Sequence, residues 1–167
     1  MTMPEPATPP GPATGTNVPQ RPLAESLPLC QSSALAERGL AFGFDVRLWG
    51  QPARAFALRF DGRVVAYMNR CAHVPVEMDW QAGEFLDHER RWIVCSIHGA
   101  TYDPVHGHCL AGPCAQRRLM AIETFECAGQ VYWYPSRDIQ PAAASADTAQ
   151  TPTGPTAPAS KHEPPTT

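Results

Sequence analysis

Two short pairs, Cys71-Ala72-His73 and Cys95-Ser96-Ile97-His98, constrain this chain more than any other feature. Residues 74 to 94 lie between them. A Cys-x-His pair cannot enclose an ion by itself, so the chain must fold the second pair back onto the first. Two loops then form a pincer, each donating one thiolate and one imidazole. Two Cys and two His suit tetrahedral zinc, and they also suit an iron–sulfur centre in which His replaces Cys on one of two irons. The order of the donors separates the two. Zinc modules of this composition generally present a Cys pair and then a His pair, whereas each arm here is mixed. Mixed arms let two irons bridged by sulfide be held separately, both Cys on one and both His on the other.

The pattern C-x-H, a gap, then C-x-x-H resembles the signature of the Rieske family, and the likeness continues past His98. Gly99, Tyr102, Asp103, Gly107, Gly112 and Pro113, in HGATYDPVHGHCLAGPC, look like that family's second cluster loop and the proline loop after it. The resemblance covers roughly residues 40 to 134. It implies one [2Fe–2S] cluster per chain, with Cys71 and Cys95 on one iron and His73 and His98 on the other. Around them it places Gly99, Tyr102 and Pro113. It also implies that the two imidazoles lie at the surface, where they serve as the electron port. Replacing two anionic thiolates by neutral imidazoles leaves the cluster less negative, which raises its potential above that of a four-Cys ferredoxin.

Departures from the pattern narrow the type. Respiratory-chain members carry an extra Cys in each ligand loop, joined as a disulfide. The corresponding positions here are Val76 and Ile97. Those proteins also place a Ser two residues after the second His, where this chain has Ala100, while their Tyr is retained as Tyr102. Fewer hydrogen bonds to sulfur mean less stabilisation of the reduced cluster, so the expected potential lies toward the low, ferredoxin-like end of the Rieske range. The connector between the ligand pairs is longer than most of the family has. A surface insertion of a few residues costs little closure entropy, so the ligand assignment stands.

Net charge is −3 over 167 residues, which supplies no basic field for nucleic acid or an anionic membrane. There is no apolar run of transmembrane length. The start, MTMPEPATPPGPATGTNVPQRP, lacks the apolar centre of a secretory signal. With two of six Cys assigned to iron, the expectation is a cytoplasmic protein with reduced thiols.

The chain divides into three. Residues 1–22 and 138–167 are Pro/Ala/Thr-rich and poor in large apolar groups, so both read as disordered tails. Residues 23–137 read as one all-β domain, a Rieske-type antiparallel sandwich or barrel of short strands carrying a small subdomain of two ligand loops. A helical turn is expected around Ser33 to Arg38, ended by Gly39. Phe44 to Trp49 alternates apolar and charged residues, the period of a half-buried strand. Ala55 to Phe60 and Arg63 to Met68 flank Asp61-Gly62, a strong two-residue hairpin signal. That hairpin delivers Cys71. Trp92-Ile93-Val94 delivers Cys95, and a last hairpin turns at Ala128-Gly129.

Other residues take structural readings. Cys109 and Cys114 flank the proline loop; they could form a disulfide, but in a reducing compartment packed free thiols are the expectation. Cys30 and Cys127 read as small core residues. His106 and His108 read as solvated loop residues. Trp49, Trp92 and Trp133 read as core or cluster-shielding aromatics, Trp80 near the ligand loop as either such an aromatic or part of a partner patch, and Arg70 and Asp103 as loop braces.

The functional expectation is a one-electron carrier. It would resemble the ferredoxin component that passes electrons from a flavin reductase to an oxygenase. The rivals are an accessory subunit of a larger reductase, as in nitrite reductase, and a zinc-binding structural module. An oxygenase subunit needs a further iron site of two His and one carboxylate, for which the residues after 137 leave no domain. No catalytic residue is expected in the chain itself.

Overall fold

A computed structural model describes residues 21–142. Most of the two tails read from composition lies outside the described residues. The fold is all-β. Strand β1 (Leu27–Gln31) lies between 3-10 turns at Leu23–Glu25 and Ser32–Ala34, and β2 (Phe42–Leu48), β3 (Gln51–Phe60) and β4 (Arg63–Met68) form a meander. Its turns sit at Trp49-Gly50 and Asp61-Gly62, and all four residues have positive φ, between 50° and 78°. That conformation matches the right-handed twist of the flanking strands. The ligand loops follow, with three short strands among them: β5 (Ile93–Val94), β6 (Thr101–Tyr102) and β7 (Cys109–Ala111). The chain then returns through β8 (Ala121–Ile122), β9 (Thr124–Cys127), β10 (Gln130–Trp133) and β11 (Ile139–Pro141). The last hairpin turns at Ala128-Gly129 as expected.

Three antiparallel sheets result, ordered β11-β2-β3-β4-β8, β1-β10-β9 and β5-β6-β7. Residues 55–58 of β3 are buried without interruption. A strand buried on both faces loses the simple alternation of a half-exposed one. Ala55, Ala57, Ala66 and Met68 face a core shared with Val131 and Trp133 of the second sheet. Phe56, Leu58, Phe60 and Tyr67 face a second core with Cys71, Met78, Phe85, Ile93, Cys95, Tyr102 and Leu119. The central sheet therefore carries a conventional sandwich on one side and the ligand-bearing loops on the other. Arg59 ties the edges by donating to both carboxylate oxygens of Glu126, at 2.9 and 3.1 Å.

Several expectations are corrected. The folded chain runs past residue 137, because Ile139 is buried and β11 pairs with β2. Strand β1, absent from the sequence reading, is held by β10 across a bulge. Cys127 is exposed, whereas Cys30 is buried. Of the tryptophans only Trp133 is core; Trp49 and Trp80 stand in solvent, and Trp92 lies at the surface. Cys109 and Cys114 are joined as a disulfide. The turn through Gly112 (φ +87°) brings their Cα atoms to 5.7 Å, within bridging reach, and no residue pattern announces that approach.

Candidate metal centre

Strand β4 ends at Met68 and hands the chain to the first ligand loop. Asn69 staples that loop at its base. Its backbone N–H donates to Arg54 O, its side-chain oxygen accepts from Met78 N–H at 2.8 Å, and its amide donates to Asp79 Oδ1. It is the buried polar residue of the described core. Inside the staple, Cys71 N–H donates to Val76 O at 2.9 Å.

The second loop leaves β5 and returns as β6. Cys95 N–H donates to Ala100 O and Gly99 N–H to Cys95 O, which makes a tight knuckle. Gly99 supplies the positive φ of +65° that the knuckle needs. Ser96 N–H donates to Met78 O, joining the second loop to the first. A third loop closes from the side. In it Gly112 lies so close to the second loop that a Cβ would meet Gly99 O at 2.9 Å. Pro113, singled out from the sequence, is exposed beside it.

Three of the four expected donors meet at one place, and the fourth lies beside them. Ligand atoms of Cys71, Cys95 and His98 all lie within 4.8 Å of one another, and His98 Nδ1 is 3.7 Å from Cys95 Sγ. His73 completes the group, its ring edge-on to that of His98 with centroids 4.8 Å apart. Its Nδ1 is buried with no hydrogen-bond partner among the described residues. A buried imidazole nitrogen without a partner is costly unless something else fills its lone pair. Two thiols and one imidazole that converge, with a second imidazole beside them whose buried nitrogen is left open, fit a two-iron cluster with mixed ligands.

Local electrostatics agree. Burial pushes the Cys71 thiol up, but hydrogen bonds from the Tyr102 hydroxyl, His98 and the backbone of His73 and Val74 outweigh it and bring the thiol down to about 7. Tyr102 Oη lies 3.2 Å from Cys71 Sγ and accepts from Ala72 N–H at 3.1 Å. Burial, and then the neighbouring Cys71, hold the Tyr102 hydroxyl protonated, so it serves as the donor. Burial raises Cys95, with the backbone N–H groups of His98 and Ile97 opposing it. Cys71 is therefore the more readily deprotonated of the two thiols.

One contributor had no signal in the sequence, and another was the less favoured of two readings. Arg117 Nη1 donates to both Ala72 O and His73 O at 2.9 Å, bracing the first loop from outside. The disulfide closes the proline loop. Asp103 accepts from the N–H groups of Val105 and His106, so its bracing role is local to the third loop. His106 and His108 are both exposed. Arg70 stacks over Trp49 at 5.4 Å and does not reach the ligand group.

Comparison with known proteins agrees with this geometry. The sequence model of the Rieske [2Fe-2S] domain matches residues 25–138. A search of curated proteins by sequence finds no match. Among solved structures, the ferredoxin of carbazole 1,9a-dioxygenase from Nocardioides aromaticivorans IC177 superposes with a TM-score of 0.53 at 22% identity, covering 66% of this chain and 98% of that one. A chain from the reduced complex between oxygenase and ferredoxin in carbazole 1,9a-dioxygenase gives a TM-score of 0.52 at 24% identity. There the match spans 66% of this chain and 28% of the other. The fold, the paired ligand loops and the family match together make the chain a member of the Rieske [2Fe-2S] domain family, with a [2Fe–2S] cluster as its cofactor.

Proposed function

We propose that the protein is a stand-alone one-electron carrier, a ferredoxin-type component serving an oxygenase. Cys71 and Cys95 hold one iron as thiolates, and His73 and His98 hold the other through Nδ1. The observation that carries this is the open, buried Nδ1 of His73 beside three donors that already converge. When bound, the cluster supplies a reversible one-electron couple. The rest belongs to the chain. Tyr102 donates to Cys71 Sγ and so favours the more negative, reduced state. Ala100, buried where a hydroxyl would stand in high-potential relatives, offers no second donor. A potential near the low end of the Rieske range follows.

The imidazoles of His73 and His98 are half-buried rather than sealed. Exposed apolar groups flank them, Val74 on the first loop and Ile97 on the second. A protein partner pressing on that rim brings its own cofactor close to the imidazole edges. A flavin reductase is the donor class and an oxygenase component the acceptor class. The near-complete coverage of a solved oxygenase ferredoxin supports a carrier built from this domain alone. Among the described residues no helix is long and apolar enough to cross a membrane, in keeping with a carrier that diffuses between partners in the cytoplasm.

The test is spectroscopic. Protein purified anaerobically should contain two irons and two acid-labile sulfides per chain, and dithionite should produce an EPR signal with a low average g value. One zinc per chain with no sulfide would replace this reading with a structural zinc site.

A further inference from the structure

We propose that the Cys109–Cys114 disulfide is a reducible lock on Arg117, through which the third loop holds the first ligand loop in its metal-binding shape. The inference rests on the cluster assignment above for its consequence, but the lock itself is a property of the chain.

Both half-cystines grip the backbone of one residue. Cys109 N–H donates to Arg117 O, and Arg117 N–H donates to Cys114 O, each at 2.9 Å. The guanidinium of that residue then donates to the carbonyls of Ala72 and His73. Those two carbonyls flank the ligand residue His73. On its other side the disulfide-closed ring presses Gly112 against Gly99 and Ala100 of the second loop. One covalent ring of six residues, Cys109 to Cys114, is therefore in contact with one ligand loop directly and with the other through Arg117.

An exposed arginine tied only by its side chain gives up much rotamer freedom to make two hydrogen bonds. Fixing its backbone in advance lowers that cost, which is how a distant covalent bond can stiffen a loop it never touches. The bridges that join the two ligand loops in respiratory proteins are impossible here, since Val76 and Ile97 occupy those positions. The third loop supplies a bridge instead, and it is one that chemistry can open. The reductant is a dithiol. Its thiolate attacks Cys109 Sγ, the less buried sulfur, forming a mixed disulfide and expelling Cys114 as a thiolate that takes up a proton. The second thiol of the reductant then displaces Cys109. Two electrons and two protons pass to the cysteines, and the dithiol leaves as a disulfide. In the disulfide form Cys114 Sγ lies 3.3 Å from Ala111 O, an acceptor within reach of the new thiol proton. Cluster lifetime would then follow the thiol–disulfide poise of the surroundings.

The experiment uses the full chain, as wild type, C109S/C114S, R117Q and the triple variant. Iron and sulfide are counted first, so a failed cluster assignment shows itself separately. Hydrogen exchange over residues 70–77 and the rate of cluster loss to an excess of iron chelator are then measured, with and without a dithiol. Exchange over β2 and β3 reports whether the fold survives. Opening the disulfide, by mutation or by dithiol, and R117Q should each speed first-loop exchange and cluster loss about fivefold, the scale of one or two lost hydrogen bonds. The triple variant should be no faster than R117Q, because both changes act on one path. R117K should recover part of the loss. The proposal is overturned if opening the disulfide leaves first-loop exchange unchanged while R117Q raises it. Effects that multiply in the triple variant overturn it as well. If the wild type carries no iron and sulfide, the exchange measurements decide the lock on their own.

Discussion

On one face of the central sheet the inward residues include Ala55, Ala57 and Ala66; on the other they are Phe56, Phe60 and Tyr67. The small residues let a second sheet approach, and long ladders satisfy the backbone on that side. The aromatic face has a different task. It fills the space under three loops whose strands are only two or three residues long. There the backbone is satisfied by individual groups: Asn69, Tyr102, Asp103 and Arg117. One half is redundant, since many similar contacts share the load. The other depends on single residues with no understudy.

The sharpest way to break this contrast is at Phe56. Its ring is fully buried and stacked on Phe85 with centroids 3.6 Å apart, beneath the ligand loops. Phe56→Ala should cost about 3–5 kcal/mol in urea unfolding. Its neighbour on the opposite face, Ala57→Gly, should cost roughly 1 kcal/mol. Equal costs would erase the distinction between the two cores.

Gly112→Ala tests the loops themselves. The substitution forces a Cβ onto Gly99 O at positive φ and should cost roughly 1–3 kcal/mol. Gly62→Ala, with φ +73° but open space around it, should cost less. A thermal melt in which Gly112→Ala loses its visible cluster band well before its far-ultraviolet signal would sharpen the comparison. Coincident loss would blunt it.

Tyr102→Phe removes one hydrogen bond to Cys71 Sγ, about 0.5–1.5 kcal/mol. In a one-electron couple that is a fall of roughly 20–60 mV in potential. Protein-film voltammetry should find it, and an unmoved potential would detach Tyr102 from the centre.

The smallest effect belongs to the redundant half. The Arg59 guanidinium beside Glu126 holds that carboxyl below its ordinary value of 4.5. A lowered carboxylate contributes stability above its ordinary value, and the contribution is lost as pH falls through the lowered one. Both side chains are partly screened, so Glu126→Gln should cost only about 1 kcal/mol at pH 7. The gap to wild type should close in denaturant titrations as pH falls below 4.5 and through the lowered value. A gap that persists there would remove the ion pair as its cause.

The residues that sequence reading found share a short range. Asp61-Gly62 and Ala128-Gly129 state their turns locally, and β3 and β4 follow from the runs between them. The ligand pairs were legible because metal binding needs particular atoms at fixed spacing. Strand β1 was not, since Leu27 to Gln31 pairs with residues about a hundred positions away and has little pattern of its own. Trp49 stands in water although its residue type argued for the core. Arg117 was missed because its role depends on how a loop closes in space, which neighbouring residues do not encode; the disulfide was the less favoured of two readings of Cys109 and Cys114. The disulfide also unsettles the expectation of reduced thiols, which came from compartment rather than from geometry.

The five-stranded sheet ends on β11 and β8, three and two residues long, and β11 carries Pro141. Short borders of this kind, one of them missing an amide hydrogen, leave little for a foreign strand to zip onto. The carrier proposed above would gain from such blunt margins, because crowding at high concentration meets little template along these two borders from which to grow a fibre.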